Sequence, residues 1–267
     1  MEDVLNEIVA WKRIEVAKQK EALPPRTLYG DVERIMCEGV QHHSMHQALA
    51  ASDSGIIAEF KRRSPSKGWI KEEGRPDVIP AAYADNGAAA LSILTDEKYF
   101  GGKLDFIMTA RPMVAAPILR KDFVVDEYQL FQARQVGADA VLLIAACLSK
   151  DELRLLAQRA HELQLEVLME IHGEGELDYC DLDVDMVGVN NRNLGTFHTD
   201  VQNSFQMAAL LPQEQLLVSE SGIGDPAILR ALRMAGFRGF LMGEHFMRFP
   251  DPSAELHRFI QQLTTTL

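Results

Sequence analysis

The run Ile56-Ile57-Ala58-Glu59-Phe60-Lys61 places an acid and a base two residues apart at the end of an apolar segment. Side chains alternate along a strand, so Glu59 and Lys61 point to the same face. Facing inward at a buried strand end, such a pair is costly without partners and marks a candidate site. On a half-exposed edge strand the same pair is an ordinary surface ion pair. A basic, hydroxyl-bearing loop follows at once, Arg62-Arg63-Ser64-Pro65-Ser66-Lys67-Gly68.

Charged endings of this kind recur along the chain. Apolar runs give way to Thr95-Asp96-Glu97-Lys98, Arg120-Lys121-Asp122-Phe123, Glu170-Ile171-His172, Asn190-Asn191-Arg192-Asn193, Glu220-Ser221-Gly222 and Gly243-Glu244. A lysine among carboxylates inside a cavity suits general acid work, and a glutamate in a partly apolar pocket suits general base work. Lys61, Lys121, Glu59 and Glu170 are the candidates of those types. Ser221-Gly222 and Gly243 offer backbone N–H groups where a helix begins, a pattern that receives phosphate. A Ser-Gly pair by itself is an ordinary turn; its place in the larger pattern gives it meaning. Ser64 and the lysines of the first loop add donors.

The elements that must position these groups are periodic. Runs resembling buried parallel strands fall at 56–60, 89–94, 116–119, 140–145, 166–171, 186–189, 216–219 and 239–242. Segments of helical composition lie between them, such as 126–136, 150–164 and 226–235. Ser149 and Asp225 precede two of these as N-caps. Gly87, Gly137 and Gly236 punctuate three strand entries. Repeated strand-then-helix units favour a parallel sheet flanked by helices. Eight units fit a single (β/α)8 TIM barrel, whose strand C-termini form the active face and whose seventh and eighth loops commonly hold phosphate. A doubly wound open sheet is the alternative, but no GxGxxG turn follows the first strand and no Walker A motif occurs.

The first fifty residues form an N-terminal helical extension. Val4, Leu5, Ile8, Trp11 and Ile14 or Glu15 recur at helical spacing, set off by Lys12, Lys18 and Lys20. Leu23-Pro24-Pro25 ends that helix, and a second stretch is expected from near Asp31 toward Ala51. The expected division is therefore 1–52 as the extension, packed on the barrel, and 53–267 as the catalytic barrel.

Composition narrows the function classes. In 267 residues, 47% are apolar and 25% charged, the balance of an ordinary globular chain. The net charge of −12 disfavours a general nucleic-acid or anionic-membrane binder. No apolar run reaches the length of a membrane span, and Met1-Glu2-Asp3 lacks the start of a signal peptide. Cys37, Cys147 and Cys180 are far apart and show no CxxC spacing, which points to free thiols in a reducing cytoplasm. His42, His43 and His46 read as a solvated helix face rather than metal ligands. His172, His198 and His245 read as loop or supporting residues, and Trp69 either covers the cleft or is a loop aromatic.

Read together, these segments resemble the indole-3-glycerol-phosphate synthase family. The similar runs are IIAEFKRRSPSKG at 56–68, ALSILTDEKYFGG at 90–102, PILRKDF at 117–123, GADAVLLI at 137–144, LMEIH at 168–172, VGVNNRNL at 187–194, VSESGI at 218–223 and FLMGE at 240–244. The first and third are the most specific; GADAVLLI and SGI are shared widely among phosphate-binding barrels. The resemblance implies a carboxy-lyase of tryptophan biosynthesis. Its substrate would be 1-(2-carboxyphenylamino)-1-deoxyribulose 5-phosphate, closed to indole-3-glycerol phosphate with loss of carbon dioxide and water.

The resemblance also implies roles. Lys121 would protonate the ketone oxygen as the aromatic carbon attacks. Lys61 would pair with the substrate carboxylate and share an acid role. Glu170 would be the base of the dehydration, assisted by Glu59 and Asn190. Arg192 and Glu220 would orient hydroxyls and the charged network. Ser64, Ser221, Gly222, Gly243 and the amide of Glu244 would hold the phosphate. No cofactor or metal is expected, and association with other tryptophan-pathway enzymes is a further expectation. Asn193 stands where the family commonly has aspartate, and Glu244 where some members have serine. The chain ends soon after the eighth unit, so no fused phosphoribosylanthranilate isomerase barrel is expected. Such an isomerase would call for a Cys/Asp or paired-Asp set that these strand ends lack. A catalytically silent barrel is the reading from another class, and the intact Glu59, Lys61, Lys121 and Glu170 set argues against it.

Overall fold

The computed structural model describes residues 4–39, 42–193, 195 and 198–264. Residues 1–3, 40 and 41 of the expected extension, and 194, 196, 197 and 265–267 of the expected barrel, lie outside the described residues.

Eight parallel strands close into a barrel in the order β1-β8-β7-β6-β5-β4-β3-β2. They are β1 Ile56–Phe60, β2 Ala90–Leu94, β3 Ile118–Lys121, β4 Ala140–Ile144, β5 Glu166–Ile171, β6 Met186–Asn190, β7 Leu216–Glu220 and β8 Phe237–Met242. The period-2 alternation divides each strand between two cores. Ile57, Leu119, Leu142, Leu168, Met186, Val218 and Leu241 fill the barrel interior. Ile56, Ala58, Phe60, Ile118, Val141, Val167 and Val187 face the helical ring.

That alternation aims Glu59, Lys121, Glu170, Asn190 and Glu220 inward at the C-terminal ends. β3 lies two residues further along than the apolar run suggests. Arg120 and Lys121 are strand residues paired with Ile93 and Leu94 of β2. Backbone pairing with both neighbours outweighs the polarity of their side chains.

Both ends of the barrel are covered by the N-terminal helices. Met45 and Leu49 of α3 (Met45–Ala51) join the interior core at the base. Leu5 and Ile8 of α1 (Val4–Ala22) join it at the mouth. The stretch expected from Asp31 to Ala51 is two helices. α2 (Pro25–Cys37) starts on a proline at its first turn, where no N–H is needed, and ends before α3 begins. The face of α1 also differs from expectation. Leu5, Ile8, Lys12 and Val16 are buried, whereas Ile14 is 49% exposed. Lys12 goes inside because carboxylates wait there, as described below.

Around the barrel run α4 (Ile79–Asp85), α5 (Glu97–Phe100), α6 (Asp105–Ala110), α7 (Glu127–Gln135), α8 (Lys150–Glu162), α9 (Gln202–Ala208), α10 (Pro226–Met234), α11 (Glu244–Met247) and α12 (Pro252–Thr264). Ser149 caps α8 in a reciprocal box with Glu152, and Asp225 caps α10 through the Ala227 N–H. At the base, the Glu166 carboxylate accepts from Ser44 Oγ and from the His46 N–H. His43 faces Asp139 at 3.4 Å. Among the described residues no group of His, Cys, Asp and Glu is arranged to hold a metal ion.

Candidate active site

The mouth of the barrel holds a cavity of about 590 Å³. Of the residues the sequence singled out, Glu59, Lys61, Lys121, Glu170, Asn190, Arg192, Glu220, Ser221, Gly222, Gly243 and Glu244 all line it. Ser64 does not. It is buried in the first loop, where its hydroxyl accepts the Lys67 N–H. Trp69 lies off the cavity too, packed on Gly101 with Arg62 and Arg63 over its ring.

Lys121 is the centre of the charged floor. Its Nζ lies 3.1 Å from Glu170 Oε2 and 3.6 Å from Glu220 Oε2. Burial lowers the proton affinity of Lys121, but Glu170, Glu220 and Glu59 outweigh it and hold the ammonium above its ordinary value. Burial alone would push Glu170 up. Lys121, His172 and Asn190 overcome that and keep it well below the usual carboxylate range. Asn190 Nδ2 donates to Glu170 Oε1 at 3.1 Å.

His172 Nε2 stands 3.2 Å from the same oxygen and its Nδ1 stands 3.8 Å from Glu176, at ion-pair distance but outside hydrogen-bond alignment. Burial pulls the imidazole down, yet the two carboxylates push it up to about 10. Glu220 moves the other way. Burial, helped by Glu170 and Glu59 and only partly opposed by Lys121, holds its carboxyl well above the ordinary range. One floor therefore carries two carboxyls pushed in opposite directions beside one ammonium, the separation by environment that acid–base chemistry uses.

Two glycines make room for this floor. A Cβ on Gly188 would come 2.4 Å from Glu220 Oε1, and one on Gly243 would come 2.3 Å from Glu59 Oε1. Gly188 was not among the expected site residues, because nothing local in β6 reveals what the neighbouring strand sends across. Glu59 and Lys61 pair directly at 2.6 Å, as their shared face requires.

The opposite rim gathers Ser221, Gly222, Gly243, Glu244, Arg192 and Lys67. Ser221 and Gly222 both adopt positive φ, +67° and +79°, a conformation that side chains other than glycine's rarely take. Gly243 precedes α11, whose first residue is Glu244. Arg192 reaches across to Glu244 at 3.0 Å and donates from Nε to Thr199 Oγ1 at 3.2 Å. Lys67 Nζ lies 4.0 Å from Glu244. The glutamate side chain turns to these cations, which answers how a carboxylate is accommodated on this rim. The apolar wall comes from Leu5 and Ile8 of α1 with Phe100 and Phe123. Only the helical period hinted at the first two.

The indole-3-glycerol phosphate synthase family model matches residues 5–259. An indole-3-glycerol phosphate synthase of Bacteroides thetaiotaomicron is 58% identical over 98% of this chain and 100% of its own length. Those of Polaromonas sp. and Paracidovorax citrulli are 41% and 42% identical over 96% of this chain, covering 97% and 98% of their own. Among solved structures, an N-acetylmannosamine-6-phosphate 2-epimerase from Clostridium perfringens superposes with a TM-score of 0.59 at 14% identity, over 84% of this chain and 100% of that one. At that identity it shares the barrel fold alone. The match across nearly the whole chain, with the inward charges at the strand ends, places this chain in the indole-3-glycerol phosphate synthase family.

Proposed function

We propose that this chain closes 1-(2-carboxyphenylamino)-1-deoxyribulose 5-phosphate to indole-3-glycerol phosphate, with Lys121 as first acid and Glu170 as base. The activity is that of the family to which the chain belongs, a carboxy-lyase of tryptophan biosynthesis acting on a small phosphorylated substrate. The assignment of roles rests on one observation, the Lys121 ammonium set between Glu170 and Glu220 on the cavity floor.

The geometry supports the following course. The phosphate sits against the amides of Ser221, Gly222, Gly243 and Glu244, with Arg192 and Lys67 beside it. The aromatic ring lies on the wall of Leu5, Ile8, Phe100 and Phe123. Lys61, already paired with Glu59, receives the ring carboxylate and shares acid work. Lys121 protonates the ketone oxygen as the ring carbon attacks. The C–CO2 bond then breaks and its electron pair restores the aromatic ring. When Lys121 gives up its proton, the larger of the charges that held Glu170 weakly basic is gone. Glu170, steadied by Asn190, then takes the proton lost from carbon in dehydration, while Lys61 donates the proton with which the hydroxyl departs as water. Glu220 orients chain hydroxyls. Ser64 shapes the first loop by accepting the Lys67 N–H, which leaves its own O–H to donate toward the phosphate.

We extend the proposal to the extension 1–52 and barrel 53–267 acting as one catalytic unit, since α1 supplies cavity wall. No helix among the described residues is long and apolar enough to cross a membrane. A cytoplasmic site and association with other tryptophan-pathway enzymes complete the proposal; the wide spacing of Cys37, Cys147 and Cys180 along the sequence supports a reducing compartment. The test is direct. Purified protein is given the carboxyphenylamino substrate and indole fluorescence is followed; absence of product sinks the reading.

A further inference from the structure

Lys12 is 2% exposed, one turn beyond Ile8 on the face of α1 that lines the cavity. Its Nζ lies 2.8 Å from Asp96 Oδ2, 3.0 Å from Asp122 Oδ1 and 2.8 Å from Glu15 Oε2. An ammonium has three donors, and here three carboxylates surround it. Burial lowers its proton affinity, but Asp122, Asp96 and Glu15 more than offset this, so Lys12 stays charged.

Two of these partners, Asp96 and Asp122, lead toward the active site. Asp122 follows Lys121 in sequence. Its Oδ1 also accepts the Phe123 N–H at 2.8 Å, and its Oδ2 accepts from Thr95 Oγ1 at 2.6 Å and Arg120 Nη2 at 3.0 Å. Asp96 caps α5 through the N–H groups of Tyr99 and Phe100. Arg120 donates onward to the Gln129 carbonyl and to Gln132, and Gln132 Nε2 returns to Gln19 of α1 at 3.0 Å. The bonds form a closed circuit from α1 through the strand end bearing Lys121, into α7, and back to α1.

We infer that Lys12 is a positioning residue for the proposed reaction, locking the Lys121–Phe123 strand end and the Leu5–Ile8 wall into one geometry. Without it, Asp122 keeps its pair with Arg120 while buried Asp96 keeps only the Tyr99 and Phe100 N–H groups, and the turn must shift to hydrate it. Displacements of about 1 Å in such a frame cost on the order of a hundredfold in rate. Lys20 provides the contrast. It also ties α1 to the barrel, at 2.7 Å from Asp126, but it is a third exposed and touches neither the cavity nor the Lys121 turn.

The inference rests on the proposed reaction, so the parent chain is assayed first. An inactive parent overturns the functional reading and this inference with it; with an active parent, the variants alone decide the role of Lys12. In folded Lys12→Met, kcat per folded molecule should fall at least about tenfold and KM rise severalfold. Lys20→Met should keep both within twofold. A purely structural role would lower only the active fraction and leave KM unchanged. Asp96→Asn, which keeps a capping side chain while removing one partner charge, should show a smaller shift in both constants and decides the matter if Lys12→Met does not fold. A KM within twofold of the parent in Asp96→Asn and in folded Lys12→Met overturns the inference, as does an equal loss in Lys20→Met.

Discussion

The Lys121 ammonium lies 3.1 Å from the Glu170 carboxylate, so the proposed acid and base are paired with each other in the resting site. Each holds the other ionised. A carboxylate so well compensated is a poor base until its partner gives up a proton, which orders the chemistry: acid first, base second. Lys121→Ala should lower kcat by roughly 10²–10⁴-fold. Relieved of the ammonium, buried Glu170 can take up a proton, so the fold should persist. Indole fluorescence and thermal unfolding check both halves; near-parental kcat removes Lys121 from the acid role.

Gly188 holds space for Glu220. Gly188→Ala sets a methyl 2.4 Å from where Oε1 now lies, and the carboxyl must swing away from Lys121. Overpacking of this kind costs about 1–3 kcal/mol. Steady-state kinetics should show kcat/KM reduced at least about tenfold, together with a lower melting temperature. Unchanged kinetics would mean that the position of Glu220 is immaterial to turnover.

Under the proposed reading, Glu244 competes with phosphate for Arg192 and Lys67, which it already faces at 3.0 and 4.0 Å. Removing its charge in Glu244→Gln should lower KM and strengthen inhibition by inorganic phosphate. The pair with Arg192 is partly exposed, so the expected gain is only about two- to fivefold, matching the ~0.5–1 kcal/mol of such pairs. A weaker phosphate inhibition constant in the variant contradicts this account of the rim.

Acid should unlock the latch beneath Lys121. Burial would raise the Asp122 carboxyl, but Lys12 and Arg120 overcome it and bring it from 3.8 down to about 2. A folded-state value below the unfolded one stabilises the protein above the unfolded pKa and is lost as pH falls through the folded one. The contribution, roughly 2 kcal/mol, is therefore full above about pH 4 and fades toward pH 2. Thermal unfolding across that window should show Asp122→Asn less stable at neutrality and less steeply dependent on pH between about 4 and 2. Parallel pH profiles for parent and variant would argue against it.

The linear sequence determined the barrel and most of its floor. Eight apolar runs with helical spacers specify strand-and-helix alternation, and the period of two puts Glu59 with Lys61 on one face without knowledge of any neighbour. Strand ends then collect Lys121, Glu170, Asn190 and Glu220, because the barrel makes all C-terminal ends converge. What only the tertiary structure decided are relations between elements remote in sequence. Lys12 looks like a polar position on α1 until Asp96 and Asp122 meet it from two other strand ends. Ser64 reads as a phosphate donor, and only the tertiary structure shows its oxygen also accepting the Lys67 N–H within its own loop. Gly188 is an ordinary small strand residue until Glu220 crosses from β7 into its space. Local periodicity fixes which way a side chain points; the strand pairing and helix docking that bring distant chain together fix what it meets, and at this site that partner sets each charge.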